Sequence, residues 1–96
     1  MKIKRIDLKE YGPVINNEQV GASIYDTITS ALKDHDIVEL DVAGIRFITT
    51  FCANQIFGNL FTLLGSDYYT RIIRINASDS FASSVDFAID RLRDKK

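Results

Sequence analysis

Apolar and polar residues alternate from the beginning of the chain. Arg5-Ile6-Asp7-Leu8 has a period of two, and with Ile3 it predicts a half-buried strand within Met1 to Leu8. The lysines and arginine between the aliphatic positions suit an edge strand, where charge discourages pairing with another chain. Tyr11-Gly12-Pro13 reads as a turn, because Pro13 locks its own φ and biases Gly12 away from helix. Val14-Ile15 follows as a short extended segment. The period then lengthens: Val20, Ile24, Ile28, Ala31 and Leu32 recur at helical spacing. Asn16 or Asn17 caps this helix, Glu18 lies in its first turn, and it ends near Asp34-His35. Gly21 costs ~1 kcal/mol in a helix interior relative to alanine, and marks either close packing or a late helix start.

Asp36 to Val42, DIVELDV, is the clearest strand. Its apolar residues Ile37, Val38, Leu40 and Val42 point both ways, which predicts a central strand with both faces covered. Ala43-Gly44 turns the chain, and Ile45, Phe47 and Ile48 form a second short extended passage. Thr49 or Thr50 then caps a helix whose stripe is Ala53, Ile56, Phe57, Leu60 and Leu64, widened by Phe61 and Leu63. That helix is either the most buried or one with an apolar contact face. Gly65 stops it. A strand is expected over Tyr69 to Ile75 and a turn over Asn76 to Asp79. Ser78 or Asp79 then caps a last amphipathic helix carrying Phe81, Val85, Ala88, Ile89 and Leu92. Arg91, Arg93, Lys95 and Lys96 gather at its C-terminal end, where the helix dipole favours cations. Strands alternating with helices imply a single α/β domain: a mixed sheet of about four strands with three helices, parallel in its later half.

Charge and composition narrow the setting. The 96 residues carry a formal net charge of -1, so no basic surface argues for nucleic acid. No apolar run approaches the roughly 20 residues of a membrane span, and the opening MKIKRIDLKEYG lacks the apolar core of a secretory signal. The single cysteine, Cys52, excludes an internal disulfide. A reducing cytoplasmic location is expected, with no membrane contact.

Candidate chemistry is sparse. His35 is the only histidine, and no spacing connects it to a nucleophile. One cysteine and one histidine do not make a zinc set, so neither a metal nor another cofactor is expected. Asp41 ends the central strand, where open α/β sheets place their ligand crevice; it also suits a turn carboxylate that accepts the N–H groups of Ala43-Gly44. Thr49 and Thr50 stand at a helix start, one of them as a cap, and either hydroxyl is a candidate for phosphorylation. Cys52 lies in the first turn, where thiols are activated, but a lone cysteine is more often a small core residue. Asp67, Tyr68, Tyr69, Arg71 and Arg74 form a patch of aromatics and guanidinium groups of the kind enriched at interfaces, or else ordinary solvated strand ends. With no catalytic constellation, a non-enzymatic protein is expected.

The segment from Asp41, through Gly44, Ile45, Phe47 and Ile48, to Thr49-Thr50 resembles the STAS domain of anti-sigma factor antagonists and sulfate transporters. Tyr11-Gly12-Pro13, the helix start Phe51-Cys52-Ala53-Asn54-Gln55-Ile56-Phe57-Gly58 and Ile75-Asn76-Ala77 are similar to a bacterial STAS-like family of unknown function. The resemblance covers nearly the whole chain and implies a STAS-like α/β fold. It also implies a regulatory protein partner, of which a histidine-kinase-like ATPase is one kind. The phosphorylated residue by position is Thr50, with Thr49 beside it, and phosphorylation blocks binding in the antagonists. The binding surface implied comprises Asp41, Gly44, Thr49, Thr50, Cys52 and Asn54. The antagonists carry Asp where Thr49 stands here, and Ser/Thr-Gly where Phe51-Cys52 stands. Small-molecule or nucleotide sensing at the same crevice is the alternative role.

Overall fold

The computed structural model describes residues 1–93, so Lys95 and Lys96 lie outside the described residues. Strands β1 (Ile3–Asp7), β3 (Ile37–Asp41) and β5 (Ile72–Ile75) form a three-stranded sheet in the order β1-β3-β5. The most aliphatic strand is central and the lysine-bearing strand is at an edge. Strands β2 (Val14–Ile15) and β4 (Phe47–Ile48) make a separate two-stranded sheet. The α/β class and the three helical runs are as expected, and the strands number five, divided between two small sheets. Every pairing among the described residues is parallel. Each partner strand is reached across a helix, which returns the chain to the end from which it started.

Helix α1 (Glu18–Asp34) begins at Asn17, whose side-chain oxygen accepts the N–H groups of Gln19 and Val20 at 2.7 and 3.2 Å. Gly21 is a close-packing position: a Cβ there would overlap the side chain of Gln55. Across this contact the Gln55 amide donates to the Glu18 carbonyl at 2.9 Å.

The second helical run opens as α2 (Thr50–Ala53), passes through a π turn (Asn54–Gly58) and continues as α3 (Asn59–Leu64). In the π turn the Asn59 N–H reaches back five residues to the Asn54 carbonyl, and the Asn59 side chain donates to the Gln55 carbonyl at 2.8 Å. Gly65, at φ 60°, ends the run, a conformation that glycine adopts without steric cost.

Helix α5 (Asp79–Arg93) is capped by Ser78, whose hydroxyl accepts the Phe81 N–H at 3.1 Å. All three helical runs bury their stripes against one face of the large sheet. Ile24 and Ile28, Ile56 and Phe57, and Phe81 and Val85 join Val38 and Leu40 in one cluster. Phe57 meets Phe81 edge-on, with ring centroids 5.8 Å apart. The expectation that both faces of β3 are covered is corrected, because Ile37, Glu39 and Asp41 on the other face are only half-buried. That face carries an ion-pair row, with Arg5 at 3.7 Å from Glu39 and 3.4 Å from Asp41.

The strand expected from Tyr69 is also shorter. Tyr68–Arg71 form a helical turn, α4, and only Ile72–Ile75 are extended. Two non-local interactions hold the turn. Tyr68 is buried, edge-on to Phe61 at 5.9 Å and to Tyr69 at 5.5 Å. Arg71 reaches the end of α1, donating to the carbonyls of Leu32 and His35 at 3.0 Å each and of Asp36 at 2.9 Å. Leu32 is in the last turn of α1, where carbonyls lack intrahelical partners, and His35 and Asp36 follow it; one guanidinium satisfies all three carbonyls. Arg71→Ala is therefore expected to destabilise the fold by about 2 kcal/mol in urea unfolding. Arg71→Lys should recover less than half of this, because an ammonium lacks the planar fork.

Candidate functional site

The starts of α1 and α2 lie side by side because β2 and β4, which lead into them, are paired. Val14 stands opposite Phe47 and Ile15 opposite Ile48. The Pro13 carbonyl accepts the Arg46 N–H at 2.7 Å, and the Ile15 carbonyl accepts the Thr49 N–H at 3.0 Å. Ile15 and Ile48 are buried, so the residues in register beside them, Val14 and Phe47, face outward. Phe51, in the first turn of α2, lies off the buried stripe and is 58% exposed. Val14 and Phe47, adjacent across the strand pair, and Phe51 in the first turn of α2 thus leave large apolar side chains exposed around the helix starts.

The two threonines have different roles. Thr49 is the N-cap: its hydroxyl accepts the Cys52 N–H at 3.2 Å, and the residue is half-buried. Thr50 is the first residue of α2 and is exposed, and none of the hydrogen bonds among the described residues uses its hydroxyl. Cys52 is fully buried, with Sγ 3.7 Å from the Asn17 carbonyl, which makes it part of the seam between the two helix starts. Asn54 is half-buried at the start of the π turn and lines a shallow surface with Phe51, Gln55 and Asn59.

Asp41 and Gly44 belong to the turn after β3. The Asp41 carboxylate accepts the Ala43 N–H at 3.1 Å and the Asn76 amide at 3.2 Å, with Arg5 at 3.4 Å. No hydrogen bond among the described residues joins it to Thr49 or Thr50. Gly44 lies against Lys9. The Ala43 N–H above all, then the Asn76 amide and, after an opposing effect of burial, the Arg5 guanidinium hold the Asp41 carboxyl below its ordinary 3.8. Of the six predicted residues, the structure brings Thr49, Thr50, Cys52 and Asn54 together at one helix start and places Asp41 and Gly44 in a separate turn.

The apolar surface itself was missed in sequence, although its signals are present. Phe47 is out of phase with Ile48 in a period-two segment, and Phe51 falls outside the stripe Ala53-Ile56-Phe57-Leu60. His35 sits at the end of α1, its Nδ1 2.9 Å from the Ala31 carbonyl. Among the described residues, no group of three or more His, Cys, Asp or Glu side chains is placed to hold a metal ion. No helix there is long and apolar enough to cross a membrane.

Residues 20–81, nearly two thirds of the chain, match a family model described as a STAS-like domain of unknown function (DUF4325). No curated protein and no solved structure matches the chain. The matched range contains all six predicted residues.

Two outcomes follow from this geometry. The Asp41 contribution to stability is present above the ordinary carboxylate range and is lost as pH falls through its lowered value. Urea midpoints measured between about pH 6 and pH 2 should therefore fall less steeply for Asp41→Asn than for the wild type. Cys52 should resist iodoacetamide in the native protein and react at once in denaturant, as counted by intact-mass spectrometry.

Proposed function

As this chain belongs to the STAS-like domain family of unknown function, we propose that it is a non-enzymatic regulatory module. It binds a protein partner through the apolar surface at the starts of α1 and α2. The supporting observation is the exposure of Val14, Phe47 and Phe51, at 41%, 45% and 58%, beside Thr50. These side chains are large and apolar, and they flank the paired strands and the cap that lead into the helix starts. Aromatic anchors of this kind carry most of the energy in protein interfaces.

Thr50 is the switch in this reading. Its hydroxyl is exposed and not used by the cap, so a kinase can reach it without unfolding the helix start. Phosphorylation adds roughly -1.5 to -2 charges next to Phe51. At a free helix N-terminus such a charge is tolerated. Beneath an apolar partner it has to be desolvated, and the contact is lost. A histidine-kinase-like ATPase is the kind of partner that combines binding with this modification.

The test uses a candidate ATPase of this type. With ATP it should modify Thr50 and leave Thr49 untouched, as read by peptide mass spectrometry. Thr50→Glu and Phe51→Ser should each weaken partner binding about tenfold or more by calorimetry, with unfolding midpoints unchanged. An unmodified Thr50, together with wild-type affinity for Thr50→Glu, rejects the switch. Wild-type affinity for Phe51→Ser rejects the surface.

A further inference from the structure

A second concave surface lies away from the helix starts, between β5 and the C-terminal half of α5. It is a half-open concavity of about 480 Å³, within the volume range of small-molecule sites. Its wall includes Tyr68 and Tyr69 from α4, Ile73 and Arg74 from β5, and Asp86 and Ile89 from α5. Three members of the aromatic and guanidinium cluster noted in the sequence thus meet here, while Arg71 is occupied at the end of α1.

Two polar atoms of this wall are shielded from solvent and have no hydrogen-bond partner among the described residues: the Tyr68 hydroxyl and Arg74 Nη1. Tyr68 is only 3% exposed. Burial pushes its phenol up to about 12, so it keeps its proton and can donate. Arg74 is held through its other nitrogen, Nη2, which donates to Asp86 at 3.1 Å. A buried polar group without a partner is destabilising. Phenylalanine would fill the same space as Tyr68 without that cost. The wall therefore offers two unused donors beside an apolar surface of Ile72, Ile89 and the Tyr69 ring.

We propose that this cavity binds a small organic monocarboxylate with an aromatic or branched aliphatic body, its carboxylate received by the Tyr68 hydroxyl and the Arg74 guanidinium. Two unpartnered donors on residues of one wall suit an oxygen acceptor, and a guanidinium suits a planar carboxylate among these. The charge of the wall selects a single negative charge. Arg74 and Arg93 are matched by Asp86 and Asp90, at 3.1 and 3.4 Å, so a dianion such as phosphate would meet two carboxylates. The isoleucines and Tyr69 take the apolar body. Entry requires the Arg74 side chain to turn, and its single ion pair, to an Asp86 side chain that is 58% exposed, is a weak restraint.

Titration of the full chain by ¹H–¹⁵N NMR tests the assignment, with sodium phenylacetate, indole-3-acetate and isovalerate as probes and phenylacetamide and inorganic phosphate as controls. At least one carboxylate should shift the amides of residues 68–74 and 86–89 saturably. Phenylacetamide and phosphate should shift them less. Tyr68→Phe should weaken that carboxylate about tenfold or more while its urea midpoint stays level or rises. Arg74→Gln should abolish saturation. The proposal is overturned if all three carboxylates leave these amides unmoved up to about 10 mM. It is also overturned if phosphate binds there as tightly as the carboxylates, or if Tyr68→Phe retains wild-type affinity.

Discussion

The arrangement of this molecule depends on one short pairing, Val14–Ile15 against Phe47–Ile48. Two residues of parallel strand contribute little energy alone, but they lead directly into the caps at Asn17 and Thr49. Helices α1 and α2 must then start together. From that start follow the Cys52 contact with the Asn17 carbonyl, the seating of Gln55 over Gly21 and the Gln55 bond to Glu18. The π turn begins within this seam, and Asn59 supplies a side-chain donor to the carbonyl of Gln55. The same pairing turns Ile15 and Ile48 inward and leaves Val14 and Phe47 outside. One constraint thereby builds both the inter-helix packing and the exposed apolar corner.

The second governing condition is size. A chain of 96 residues supports one modest core, and here that core occupies a single side of the large sheet. The helical run of residues 50–64 fills the middle of the layer and is held against α5 by the edge-on contact of Phe57 and Phe81. Parallel sheets are usually covered on both faces. The uncovered face here is made tolerable by mixing its half-buried isoleucines, Ile37, Ile73 and Ile75, with the Arg5–Glu39 and Arg5–Asp41 ion pairs. Such pairs add little stability at a surface. They keep the face from becoming a continuous apolar patch.

The two proposed surfaces differ in chemistry. The corner at the helix starts is apolar, shallow and rigid, and suits a macromolecular partner. The concavity along β5 is half-open and partly charged, and it is lined by residues with unused donors, which suits a small acidic ligand. They share no residue, so occupancy of one and modification of the other are separable. Thr49 and Thr50 make the same distinction within one dipeptide. The hydroxyl inside the cap holds the helix, and the exposed one is free to be modified.

Much of the fold was legible in the sequence because its signals are local. The Asn17 cap, the Ser78 cap, the stop at Gly65 and the stripes of α1 and α5 depend on residues within about a turn of each other. The edge position of β1 followed from its charges, the central position of β3 from its aliphatic residues, and the Asp41–Ala43 turn from short-range hydrogen bonding. The parts that sequence misplaced are those decided by distant residues. Tyr69–Arg71 has the composition of a strand, yet it is helical because Tyr68 is buried against Phe61 and Arg71 caps a helix more than 30 positions earlier. Aliphatic residues on both sides of β3 specify two apolar faces, but only the tertiary arrangement decided that all helices cover one. The sequence likewise named both threonines and Asp41 as one candidate site. In the folded chain Asp41 bonds Asn76 and Arg5, partners that no local pattern joins to it, and no hydrogen bond among the described residues links it to either threonine.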